Sequence, residues 1–153
     1  MDPIKKIIIG SDHAGFALKQ KLTAYLIKRG LKVKDAGTCS PERCDYPEFA
    51  YKVAEAISRG RFRRGILICY TGIGNSIVAN KLNGVRAALC YNAQAALLSR
   101  RHNDSNVLVL GSLFINERTA KKIIDVWLNT KFEAGRHRHR LNILKKIERF
   151  KKI

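Results

Sequence analysis

The sequence predicts an α/β fold: a single Rossmann-like domain over residues 1–153, with a five-stranded, mainly parallel sheet, helices on both faces and a C-terminal basic helix. Two observations lead there. Short β-rich apolar runs alternate with segments whose apolar residues recur at spacings of three and four, and parallel neighbours need a crossover that is usually a helix. The chain, 153 residues with 46% hydrophobic content, is long enough to bury one core and too short for two ordinary domains.

In chain order, K-I-I-I-G at Lys6 to Gly10 reads as the first strand, followed by a helical spacing of apolar residues from Phe16 to Arg29. The second strand is Leu31 to Asp35, and the second helix runs from Pro47 to Arg59. G-I-L-I-C at Gly65 to Cys69 is a continuous apolar run, as expected of a strand covered on both faces, and a helix from Asn75 to Leu82 follows. Strands at Val85 to Leu89 and Asn106 to Leu110 alternate with helices at Asn92 to Arg100 and Glu117 to Asn129. From Phe132 onward the chain reads as a final basic helix, with Arg136 and Arg140 four residues apart and so on one face.

Composition narrows the function classes. No run approaches the roughly 18 apolar residues of a bilayer span, and the N-terminus lacks a signal-peptide pattern, so a soluble cytoplasmic protein without a membrane partner is expected. Cys39, Cys44, Cys69 and Cys90 form no C-x-x-C pair; they read as reduced thiols, and no metal site is expected. The 30 Lys and Arg against 12 Asp and Glu give a formal charge of +18. Such a field suits anionic ligands or nucleic acid. The positive residues are spread along the helices, however, and only Arg136 to Lys152 is concentrated. Aromatic residues are not interleaved with them, so no nucleic-acid partner is expected.

In sheets of this kind ligands bind beyond the carboxyl ends of the strands. That rule selects Ser11-Asp12-His13, the turn from Cys69 through Tyr70, Thr71, Gly72 and Ile73 to Gly74, and the loop from Gly111 to Leu113. The turn reads as an anion site: its glycines let backbone N–H groups face inward, and the same field is expected to lower the Cys69 pKa. The alternative is a structural cysteine before an ordinary strand-to-helix turn. Two nucleotide motifs fail here, because a P-loop needs Gly-Lys-Ser/Thr and the dinucleotide fingerprint needs a third glycine where Ile77 stands. Asp12 and His13 read as an acid-base pair, or else as a cap with a surface histidine. His102 in R-R-H-N-D is a candidate base or one polar loop residue among several. Arg136 and Arg140 suit bidentate phosphate binding or a solvated helix face. Cys39, Cys44 and Cys90 read as structural.

Several ordered motifs then combine: G-S-D-H-A-G-F, G-T followed by D-Y-P, I-L-I-C-x-T-G-I-G-x-S-I-x-A-N-K, G-V-R-A-A-L, H-N-D-x-N-V-L and F-E-x-G-R-H. Over nearly the whole chain they resemble the sugar-phosphate isomerase family that contains ribose-5-phosphate isomerase B, the galactose-6-phosphate isomerase subunits and allose-6-phosphate isomerases. The resemblance implies cofactor-free interconversion of ribose 5-phosphate and ribulose 5-phosphate through a cis-enediolate, in the pentose phosphate pathway. It also implies a homodimer or tetramer with sites shared between subunits.

By the same resemblance Cys69 is the base, Thr71 moves the proton between O1 and O2, and His102, with Asp12 close by, opens the furanose ring. The N–H groups from Tyr70 through Gly72 to Gly74 face the enediolate oxygen. His13, Arg136 and Arg140 hold the phosphate, and Asn103 touches substrate hydroxyls. A hexose phosphate such as allose 6-phosphate is the alternative substrate. A basic nucleic-acid-binding protein on the same scaffold is the remote one. Galactose-6-phosphate isomerases divide the cysteine and histidine between two chains, whereas this chain carries both. Three residues depart from the family pattern: Tyr70 for glycine, with strain expected if the position needs positive φ; Leu113 for a phosphate-binding arginine; and Asn75 for an apolar residue.

Overall fold

A computed structural model describes residues 4–150. Five strands form one sheet in the order β2-β1-β3-β5-β4, every pair parallel: β1 (Lys6–Ser11), β2 (Lys32–Asp35), β3 (Gly65–Cys69), β4 (Ala87–Leu89) and β5 (Val107–Gly111). The helices are α1 (Phe16–Lys28), α2 (Tyr46–Ser58), α3 (Ile73–Ala79), α4 (Ala93–Asn103), α5 (Glu117–Asn129) and α6 (Gly135–Phe150). The predicted α/β alternation is therefore present in full. No helix among the described residues is long and apolar enough to cross a membrane.

Successive strand residues face opposite sides of the sheet, and each side has its own core. Ile7, Ile9, Ile66, Ile68, Leu108 and Leu110 pack with Leu22 and Leu26 of α1, Ala96 of α4, and Ile123, Ile124 and Trp127 of α5. On the other side Ile8, Leu67, Val107 and Val109 meet Ala50, Val53 and Ala54 of α2 and Ala79 of α3. Each large apolar side chain fully buried this way contributes about 1.5–3 kcal/mol relative to exposure.

Three boundaries differ from the sequence reading in ways that bear on function. The fourth strand begins at Ala87 instead of Val85, because the Arg86 N–H donates to the Asn106 side-chain oxygen at 2.8 Å instead of to a neighbouring strand. The third helix begins at Ile73, inside the glycine turn. The fourth helix runs three residues past Arg100, so His102 and Asn103 lie in its last turn, not in a loop; Asp104 ends it in the left-handed region at φ 46°.

That corner is knit from beneath. The Arg100 guanidinium is buried and donates to Asp104 Oδ1 at 2.7 Å and to the Ser105 carbonyl at 2.6 Å. Ser105 and Ser99 hydroxyls lie 2.8 Å apart, and the Trp127 indole N–H donates to Ser105 Oγ at 2.8 Å. Buried polar groups satisfied in this way hold one arrangement of the chain, because leaving any of them unpaired is expensive.

Candidate active site

The chain leaves β1 for β2 on one side and reaches β3 on the other, so β1 and β3 flank the switch point where sheets of this class bind ligands. Asp12 and His13 follow β1, and the Cys69 to Gly74 turn follows β3. Gly72 is the left-handed residue of that turn, at φ 83°, and a Cβ there would fall 2.4 Å from the Leu89 side chain. Gly74 lies against the Tyr46 ring, which a Cβ would meet at 2.5 Å. Gly72 needs glycine for its left-handed backbone, whereas Gly74 leaves room for the Tyr46 ring to lie against the turn.

Cys69 is buried at the strand end, and the Gly72 N–H donates to its Sγ at 3.2 Å. Its pKa is raised, contrary to the sequence expectation. Burial is the largest cause, and the nearby Asp12 carboxylate adds to it. The N–H groups of Asn75, Gly72 and Thr71 pull the other way. The desolvation of a nearly enclosed sulfur outweighs three backbone dipoles. Thr71 Oγ1 accepts from the Ile73 N–H at 3.2 Å, leaving its hydroxyl proton for a ligand, and its carbonyl is held by the Tyr91 hydroxyl at 3.0 Å.

Asp12 and His13 do not pair with each other. Asp12 Oδ1 accepts from the Gly15 N–H at 3.0 Å, which closes the turn before α1. His13 Nδ1 lies 3.2 Å from the Cys44 carbonyl oxygen, 3.3 Å from the Cys44 backbone nitrogen and 4.0 Å from its thiol. Nδ1 is thus engaged by the Cys44 backbone, and Nε2 is the atom left to meet an anion. Cys44, read from sequence as merely structural, therefore positions a candidate binding residue.

The remaining candidates are at the opposite end of the sheet. His102 and Asn103 precede β5, and Arg140 of α6 joins them around a groove of about 700 Å³ lined also by His137, Leu141 and Leu144. Arg136 begins the same helix. The His102 and His137 rings stack with centroids 4.3 Å apart, and Glu133 Oε2 lies 3.8 Å from His102 Nε2 and 3.4 Å from His137 Nε2. Glu133 and His137 were passed over in the sequence, although both stand inside the F-E-x-G-R-H motif that supplied Arg136. The five-residue strands between the two clusters place them about 13 Å apart along the sheet, at roughly 3.3 Å per residue.

A family model described as Ribose/Galactose Isomerase matches residues 7–144. The chain belongs to this family. It is 49% identical over 145 residues to ribose-5-phosphate isomerase B of Escherichia coli, covering 95% of this chain and 97% of that protein. Its fold superposes on Clostridium thermocellum ribose-5-phosphate isomerase B with a TM-score of 0.94 at 48% identity, covering 96% of this chain and 99% of that one. It also superposes on Mycoplasma genitalium ribose-5-phosphate isomerase B with bound ribulose-5-phosphate, with a TM-score of 0.91 at 38% identity, covering 94% and 96% of the two chains.

Within this Ribose/Galactose Isomerase chain the three departures can be placed. Tyr70 is not in the positive-φ region, which the turn reserves for Gly72, so the expected strain is absent. Its side chain is 55% exposed, and its carbonyl accepts from the Leu113 N–H at 2.9 Å. Leu113, also half exposed, thus stands beside Tyr70, and with Phe114, Ile73 and Ile77 these residues give the rim of the thiol an apolar surface. Asn75 is buried, and neither polar atom of its side chain has a hydrogen-bond partner within the chain; nothing in the structure explains it.

Proposed function

We propose that the chain interconverts ribose 5-phosphate and ribulose 5-phosphate, and that each working site is assembled from two subunits. The observation that carries the reading is the Cys69 thiol set inside a turn whose backbone N–H groups converge on it, in a chain of this family.

The open-chain aldose enters with C2 facing Cys69. The thiolate removes the C2 proton, and the electron pair moves onto the carbonyl to give a cis-enediolate. The Thr71 hydroxyl carries a proton between O1 and O2, and Cys69 returns its proton to C1. The N–H groups at Tyr70, Gly72 and Gly74 border the position of the developing oxyanion; Gly74, in the first turn of α3, has no preceding helical carbonyl to bond. No redox or nucleotide cofactor is needed, because the hydrogen removed at C2 is the hydrogen returned at C1. His13 meets the phosphate through Nε2.

Ring opening, hydroxyl contacts and the remaining phosphate charge fall to His102, Asn103, Arg136 and Arg140. These lie at the wrong end of their own sheet to reach Cys69. A second copy supplies them across a two-fold interface, where the apolar rim at Tyr70, Ile73, Ile77 and Leu113 is covered and water is kept from the enediolate. The four cysteines are free thiols, which suits the cytoplasm.

The test is turnover of ribose 5-phosphate and of allose 6-phosphate by purified protein in the presence of EDTA. Conversion of the pentose phosphate supports the proposal, faster conversion of the hexose phosphate reassigns the substrate, and no conversion of either sinks it.

A further inference from the structure

The groove at the amino end of the sheet holds a second arrangement of ligand atoms. His102, Glu133 and His137 each offer one nitrogen or oxygen, and those atoms all lie within 4.8 Å of one another. All three belong to one chain, so the cluster exists whatever the subunit arrangement. His137 is only 5% exposed, and its Nε2 is buried without a hydrogen-bond partner, although Glu133 Oε2 is near. A buried nitrogen left unused at this price in desolvation calls for a ligand.

We propose that His102, His137 and Glu133 form a binding site for a nitrogen-seeking divalent transition ion, such as Co²⁺, Ni²⁺ or Zn²⁺, and that an ion held there switches off His102. Imidazole nitrogens and a carboxylate are a suitable donor set for such ions and a poor one for Mg²⁺ or Ca²⁺, which favour all-oxygen shells.

The carboxylate is already divided between two tasks. Its Oε1 pairs with Arg101, and its Oε2 faces both imidazoles. Arg101 therefore fixes the carboxylate without occupying the oxygen that an ion would use. Arg136 and Arg140 stand on the same helix as His137, within three residues of it. The same arginines repel a cation, so the ion must gain from coordination to nitrogen and not from charge alone. Bonds of about 2.0–2.2 Å draw tetrahedral ligands to within roughly 3.5 Å of one another. The rings, stacked within 14° of parallel, must therefore tilt toward each other as well as close by about an ångström, a rotation about the imidazole and carboxylate torsions.

Binding stands independently of the isomerase reading; the switching of His102 rests on it. The experiment is a Co²⁺ titration of tag-free protein, followed by calorimetry and visible absorption. The expected result is one ion per chain with d–d bands and no thiolate-to-cobalt charge-transfer band. His137→Ala and the near-isosteric Glu133→Gln should each weaken binding at least about tenfold. His139→Ala, on the exposed face of the same helix, should not weaken it, and neither Mg²⁺ nor Ca²⁺ should compete. Conversion of ribose 5-phosphate should fall with Co²⁺ occupancy and return with EDTA. No binding, or a thiolate band that survives His137→Ala, overturns the site. Binding that leaves conversion intact overturns the switch. A protein that binds Co²⁺ at these residues but turns over no sugar phosphate keeps the site and removes only the isomerase reading.

Discussion

The two ends of the sheet solve different problems with different materials. At the carboxyl end, beside Cys69, the working groups are backbone: Gly72 and Asn75 N–H groups around one sulfur, held by buried strands and by the left-handed Gly72. At the amino end, beside His102, they are side chains on helix surfaces: two stacked imidazoles, a shared carboxylate and nearby arginines. Backbone donors cannot be removed by substitution and barely reorganise, which suits an oxyanion that forms and vanishes each turnover. Charged side chains reach further and titrate, which suits the capture of a phosphate and the opening of a ring.

The largest expected effect breaks both ends at once. Cys69→Ala and His102→Asn should each lower kcat by about 10²–10⁴, as loss of a base or acid does. Unfolded together and refolded as a mixture, they should regain about a quarter of wild-type activity, because random pairing makes half the dimers mixed and each mixed dimer has one intact site. A mixture that stays inactive although mass spectrometry finds mixed dimers would place both groups in one chain's site.

Next comes the charge at the amino end. Arg140→Ala should raise KM roughly 10- to 100-fold, the equivalent of one lost charge-assisted hydrogen bond. Leu113→Arg, which adds a cation to the apolar rim, should improve kcat/KM or leave it unchanged; a marked loss would mean that position 113 points away from the phosphate.

The carboxyl end has a pH signature. Because burial pushes the Cys69 thiol up, the free enzyme holds little thiolate at neutral pH. The thiolate fraction then rises with pH, so kcat/KM should climb nearly tenfold per unit until an apparent pKa above the ordinary cysteine value of about 8.5. A limb that levels off below pH 7 would contradict the burial argument.

Gly72→Ala should lower stability by about 1–2 kcal/mol for the left-handed conformation alone, with more from overlap with Leu89, read as a drop in Tm. The smallest effect is expected from deleting the residues after Ile147. This removes the exposed contact between Glu148 and the Gly84 N–H, and part of the basic tail, of which residues 151–153 lie outside the described residues. Activity should be retained. Weak, salt-sensitive binding to DNA would reflect the charge of +18, whereas nanomolar affinity at physiological salt would show a second role.

This contrast also marks what the sequence made legible. The strands β3 and β5 announce themselves as unbroken apolar runs because both faces are covered, and the glycine turn is readable because its conformation demands particular residues. The Cys69 pKa was misread, since dipoles are local and visible in a motif while desolvation depends on strands distant in the chain. His102 was read beyond the end of its helix, because the buried Arg100 pairing that carries the helix three residues further cannot be seen in R-R-H-N-D. The meeting of Cys44 with His13 joins residues 31 positions apart, and no spacing rule reports it.

The chain has one tryptophan, and its place under the α4–β5 corner makes it a natural lamp for this molecule. Trp127 is fully enclosed, with its indole hydrogen bonded to Ser105 and the Arg64 guanidinium 5.6 Å from the ring centre. Its fluorescence should be blue-shifted in the native state and move to longer wavelength only when that corner admits water. Since Ser105 lies three residues from His102, an emission change without loss of far-ultraviolet ellipticity would report loosening at the histidine end while the rest of the sheet stays folded.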